Sequence, residues 1–186
     1  EVARRALQDA GCAPGEMDAV LISTCTGYLC PGLTSSVRAQ HSLRTAVFAL
    51  DLVGQGCGAA LPNLRNAEAL LAAGRAKKVL SICVEVCSAA FFIDDDPGVL
   101  ISACLFGDGA GAAVLSNEPL ARQRRVEWKF AASRLVTAER DTLRFRHQNG
   151  MLRNILLPQV PQVAGEVAAK LFAETLAGAG VSRDQI

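Results

Sequence analysis

Residues 45–84, TAVFALDLVGQGCGAALPNLRNAEALLAAGRAKKVLSICV, decide the fold. Residues 45–50 (TAVFAL) are apolar, aromatic and β-branched, which predicts a strand. Residues 59–73 place apolar side chains at helical spacing and end at Gly74, which predicts a helix with a glycine stop. Residues 78–84 (KVLSICV) predict a second strand. Strand, helix and strand in this order form an α/β unit, and strands this apolar belong to a sheet covered on both faces.

The same alternation extends outward. Residues 2–10 (VARRALQDA) predict a helix stopped by Gly11 and Pro14, and residues 19–23 (AVLIS) a buried strand. Downstream, 94–98 (DDDPG) is a charged turn, and 99–114 is an apolar run set around Gly107, Gly109 and Gly111. From 122 to 153 the composition changes to nine basic residues against three acids. Residues 126–130 and 142–146 alternate charged and apolar positions there, which favours a half-exposed antiparallel sheet with a solvated basic face over an anion site. Pro158 and Pro161 introduce a helix over 162–177, ended by Gly178 and Gly180. Residues 1–22 and those from 164 onward echo one another as helix, Ala-Gly and short acidic turn. The first copy runs on into a strand, and the second stops at Ile186 where its strand is due.

Composition excludes several classes of function. Nineteen basic against eighteen acidic side chains leave a formal charge of +1, too little to make nucleic acid a main partner. With 51% hydrophobic and 20% charged residues the chain is globular rather than disordered or fibrous. The longest uncharged stretch, 19–37, is interrupted by Ser, Thr, Gly and Pro and predicts no membrane span. Seven cysteines with no Cys-x-x-Cys pair argue against a disulfide framework and against a metal site, and fit a reducing cytoplasm. No leader peptide is visible, and a chain that opens inside a helix reads as a segment of something longer.

Among those cysteines Cys57 stands apart, because a strand and a glycine turn deliver it to the first turn of a long apolar helix. Unpaired N–H groups and the positive dipole end favour a thiolate there, and a thiolate is a competent acyl acceptor. The alternative is a small buried hydrophobe. Packing accounts for Cys12, in a turn, and for Cys83, Cys87 and Cys104, in apolar strand or strand-edge patterns. Cys25 and Cys30 lie in a Ser/Thr/Gly/Pro loop after a strand and are candidates for lining a pocket. Residues 107–111 (GDGAG) resemble the start of a dinucleotide fingerprint, but 112–115 (AAVL) predict a strand where that motif needs a helix. A turn that lets two strands approach closely, with Asp108 bonded to the turn backbone, is the better account. His41 and His147 have polar neighbours and no glycine or proline context to hold them in a pocket, so neither is a convincing partner for the thiol.

Gly54-Gln55-Gly56-Cys57, followed some fifty residues later by Leu105-Phe106-Gly107-Asp108-Gly109-Ala110, resembles the type III polyketide synthases, the chalcone and stilbene synthase family of thiolase-fold condensing enzymes. Ser23-Thr24-Cys25-Thr26-Gly27 with Pro31-Gly32, Glu85-Val86, and Gly150-Met151-Leu152-Arg153 match in the same register. The resemblance implies a thiolase-like αβαβα fold, with 1–118 as the N-terminal half lacking its first strands and 119–186 as the start of the C-terminal half. It implies that Cys57 is loaded from an acyl-CoA, that malonyl-CoA extends the chain by decarboxylative condensation, and that no further cofactor is needed. Phe106 becomes an aromatic gate, Cys25, Cys30 and Ala90 pocket-lining positions, and Gly107, Asp108 and Gly109 a structural turn. The resemblance also implies a homodimer, to which Cys30 stands where family members lend a methionine to the partner's pocket. The family's catalytic His and Asn fall beyond Ile186 in this register. Two other readings remain: a carrier-protein-dependent ketoacyl synthase of the type that starts fatty acid synthesis, and a non-catalytic half that only dimerises.

Overall fold

The computed structural model describes residues 1–120 and 126–186, so Arg122, Arg124 and Arg125 of the basic stretch lie outside the described residues. The described residues fall into two compact units, 1–89 with 107–126 and 90–106 with 127–186.

The first unit is built on a four-stranded sheet of β1 (Ala19–Thr24), β2 (Phe48–Val53), β3 (Lys78–Glu85) and β4 (Gly109–Ser116), in the order β2-β1-β3-β4. The first three strands are parallel, and β4 runs antiparallel to β3. All six residues of β1 are buried, which explains its unbroken apolar sequence. Alternate side chains divide between two cores. Val20, Ile22, Leu80 and Ile82 meet Ala3 and Leu7 of α1 (Val2–Ala10) together with Leu33 and Val37 of α2 (Leu33–His41). On the other face Ala19, Leu21 and Val79 meet Ala67 and Leu71 of α3 (Ala60–Ala72).

The strand expected over 45–50 begins three residues later. Val47 is buried but sits in a turn, its N–H donating to the Arg44 carbonyl, and the chain enters the sheet at Phe48, whose N–H donates to the Asp18 carbonyl at 2.9 Å. Burial of Val47 therefore reports packing under the sheet edge and not strand geometry. A short α4 (Cys87–Ala90) follows β3, so Cys87 is helical rather than on a strand edge.

In the second unit α5 (Pro97–Leu105) takes up the first part of the apolar run, and Cys104 is exposed on this helix rather than packed in a strand. Its N-terminus is set by Asp96, whose carboxylate accepts from the N–H groups of Gly98 and Val99. Strands β5 (Leu143–Gln148) and β6 (Met151–Leu156) form the expected antiparallel pair, turning through Asn149 and Gly150 at positive φ. Residues 126–130 are not a strand. Nor is Arg153 part of a solvated basic face, because it pairs with Asp94 at 3.0 Å and with Asp96 at 3.4 Å. Helix α6 (Val160–Ala179) runs through Gly178 and is capped by Gly180 at φ 65°. Among the described residues no helix is long and apolar enough to cross a membrane.

Leu80→Ala, which empties a fully buried position of β3, is expected to cost about 2–5 kcal/mol in urea unfolding, and Phe48→Ala at the half-exposed edge less than about 1 kcal/mol.

Candidate functional site

The register of the sheet places four segments along one edge. Thr24 lies opposite Val53, Ser23 opposite Cys83, and Glu85 opposite Gly109. The carboxyl ends of β1, β2 and β3 and the beginning of β4 therefore share a rim, the place where α/β sheets gather their chemistry. Cys25, Cys57, Glu85, Cys87 and Asp108 all follow from these ends.

Cys57 lies in a 3-10 turn, Gly56–Gly58, that leads into α3, and it is exposed. Exposure does not fit the alternative of a small buried hydrophobe. The turn is built on Gly54 at φ 77° and Gly56 at φ 69°, left-handed values that favour glycine on both sides of Gln55.

Glu85 ties the loop after β1 to the end of β3. Its carboxylate accepts from the Cys25 N–H at 2.9 Å, the Thr26 N–H at 3.0 Å and the Thr26 hydroxyl at 2.6 Å. The Val86 N–H in turn donates to the Thr26 hydroxyl oxygen at 2.9 Å. In the sequence Glu85 is only a point of likeness to the family, and the one signal of this role is an acid closing an apolar strand.

Asp108 also acts differently from expectation. It bonds across to α4, accepting from the Ser88 N–H at 2.9 Å and the Ser88 hydroxyl at 2.6 Å, and these bonds hold its carboxyl below the usual range. Gly107, Gly109 and Gly111 have open space where a Cβ would stand, so close approach of two strands is not what the glycines serve.

The thiols on this rim are sorted by their surroundings. Burial, then the Glu85 carboxylate beside it, pushes the Cys25 thiol up to about 12. Burial, then Glu85 and Asp108, raises Cys87 as well. Cys25 is half-buried and Cys87 buried, so Cys57 is the exposed thiol of the group. Cys30 is exposed in the loop before α2, a loop held where Asp51 accepts from the Thr34 N–H at 3.2 Å and from the Thr34 hydroxyl. Of the remaining candidates, Ala90 and Phe106 belong to the second unit. There Phe106 closes α5 and meets Phe91 edge to face at 5.8 Å, and Phe91 in turn lies 5.5 Å from Phe145. No group of His, Cys, Asp and Glu that could hold a metal occurs among the described residues.

Cys57 thus stands at a helix start beside the carboxyl ends of parallel strands, in a sheet with helices on both faces. The family model for FAE1/type III polyketide synthase-like proteins matches residues 2–145, and the chain belongs to that family. It is 32% identical over 183 residues to a 3,5-dihydroxyphenylacetyl-CoA synthase of Amycolatopsis orientalis, covering 97% of this chain and 49% of that protein. A 1,3,6,8-tetrahydroxynaphthalene synthase of Streptomyces griseus is 33% identical over 119 residues, 63% of this chain and 32% of that one. Among solved structures, PKS-I from the brown alga Ectocarpus siliculosus superposes with a TM-score of 0.84 at 26% identity, over 98% of this chain and 48% of that one. The chain thus spans about half the length of the curated relatives first matched.

Because the Cys25 thiol keeps its proton in the folded chain up to about pH 12, against an ordinary value of 9.0, its contribution to stability is complete below pH 9 and declines as pH rises from there. Glu85→Gln removes the neighbouring charge, and peptide mapping after iodoacetamide is expected to show Cys25 alkylated faster in this variant at pH 9, with wild-type Cys25 nearly inert.

Proposed function

We propose that this chain carries the acyl-accepting half of a type III polyketide synthase, with Cys57 as nucleophile. The observation that carries this reading is the segregation of thiols on one rim: Cys25 is half-buried and Cys87 buried, both beside carboxylates that oppose their ionisation, and Cys57 is exposed at a helix start. The Cys57 sulfur attacks the thioester carbon of an acyl-CoA. The tetrahedral adduct then collapses with loss of the coenzyme A thiolate, which takes up the proton that the Cys57 thiol gave away.

In a protein of the relatives' full length, extension follows. Malonyl-CoA loses carbon dioxide, the resulting enolate carbon bonds to the acyl carbon, and the Cys57 thiolate departs to leave a β-ketoacyl-CoA. That second step calls for donors to steady the enolate oxygen, and a missing donor of this kind typically costs about a hundredfold or more. Family membership favours the CoA-dependent reading over a carrier-protein synthase. The exposed position of Cys57 supports a role for the chain beyond dimerisation.

Pocket-lining roles for Cys25, Cys30 and Ala90, a gating role for Phe106, a homodimeric assembly, a cytoplasmic setting and independence of any cofactor beyond the CoA thioesters complete the proposal. So does the assignment of 1–118 and 119–186 to the two halves of the thiolase repeat.

Incubation with hexanoyl-CoA, followed by intact-mass and peptide analysis, is expected to add one hexanoyl group at Cys57. Cys57→Ser should abolish the adduct and Cys25→Ser should retain it. An adduct that needs an acyl carrier protein, or that forms on another cysteine, would refute the assignment. With malonyl-CoA added, the purified 186-residue chain alone is expected to release no polyketide detectable by liquid chromatography and mass spectrometry.

A further inference from the structure

Asn63 is fully buried on α3, six residues after the nucleophile, in a stripe whose next members, Ala67 and Leu71, are core residues. Its side-chain amide uses both donors, one to the Ser23 hydroxyl oxygen at 3.3 Å and one to the Ile82 carbonyl at 2.9 Å. Its oxygen accepts from the Ser81 hydroxyl at 3.1 Å. Ser23 donates on to the Cys83 sulfur at 3.1 Å. One amide thus grips β1 and β3 together, just short of the residues, Cys25 and Glu85, that form the rim.

The backbone carries that grip to Cys57. The Asn63 N–H donates to the Ala59 carbonyl at 3.1 Å, and the Ala59 N–H donates to the Gly56 carbonyl at 3.1 Å, so a continuous ladder joins the clamp to the turn around Cys57. An apolar contact between helix and sheet is non-directional and tolerates small slides and rotations of the helix. Three directed hydrogen bonds do not, because a slip of one residue moves a helix by about 1.5 Å and turns it by about 100°. Burying an amide and two hydroxyls brings little net stability over apolar groups of the same shape, so what this network supplies is geometry.

Building on the assignment of Cys57 as nucleophile, we propose that Asn63 is a positioning residue that fixes the Cys57 turn over the strand ends through its clamp on Ser23, Ser81 and Ile82.

The test follows Cys57 against Cys104, an exposed reference in the second unit, by iodoacetamide labelling and peptide mass spectrometry, with urea midpoints measured in parallel. Asn63→Ala is expected to lower the Cys57-to-Cys104 rate ratio about tenfold, since a turn released from the clamp no longer holds the sulfur against the positive end of α3. Ser81→Ala, which removes one of the three bonds and leaves packing nearly intact, should give an intermediate ratio, and it serves if Asn63→Ala does not fold. The triple variant Asn63→Leu, Ser23→Ala, Ser81→Ala replaces the network by apolar groups. It is expected to recover the urea midpoint while the Cys57 ratio stays low. Recovery of the ratio along with stability, or an unchanged ratio in Ser81→Ala and Asn63→Ala alike, would overturn the proposal. Iodoacetamide needs no CoA substrate, so a low ratio in the variants supports the clamp even if hexanoyl-CoA fails to acylate the wild-type chain.

Discussion

Strand β1 has no solvent face, and the first unit is organised around that constraint. A strand buried along all six residues needs neighbours on both edges and cover on both sides. The edges are taken by β2 and β3, and the faces by α1 and α2 on one side and α3 on the other. Once three parallel strands lie side by side, their carboxyl ends open at one rim. The loops that leave them must turn there, and that is where the cysteines and carboxylates collect.

The thiols differ in what surrounds them rather than in kind. Cys25 and Cys87 have carboxylates as neighbours, and negative charge next to a sulfur opposes its ionisation as burial does. Glu85 thereby does two things at once. It closes the loop after β1 by collecting N–H and O–H donors, and it keeps the adjacent thiol neutral. Among the ionisable sulfurs of this rim, Cys57 is the one left exposed.

Much of this was legible in the sequence, and the exceptions have physical causes. The βαβ order, the glycine turn before Cys57 and the strand over 112–115 come from local patterns of apolar and glycine residues, which the backbone obeys directly. The start of β2 was misplaced because Val47 is buried without being in the sheet, and burial is all that an apolar residue reports. Asp108 was assigned to its own turn because short-range bonding is the default for Asp in a Gly-Asp-Gly sequence, whereas its partner Ser88 lies twenty residues away. Arg153 looked like part of a solvated face for the same reason, with Asp94 and Asp96 distant in sequence. Asn63 gave a faint signal as the one polar side chain in the stripe it shares with Ala67 and Leu71, but its three partners lie on two different strands.

Gly54 and Gly56 bear on how substitutions near Cys57 are to be judged. Neither has any atom within 4 Å of where a Cβ would stand, so by volume alone the two positions would accept almost any side chain. Their left-handed dihedrals exclude nearly all of them. The flank of Cys57 is thus kept bare by chirality rather than by crowding, and a survey that ranks positions by free space would place among the most tolerant sites two of the least.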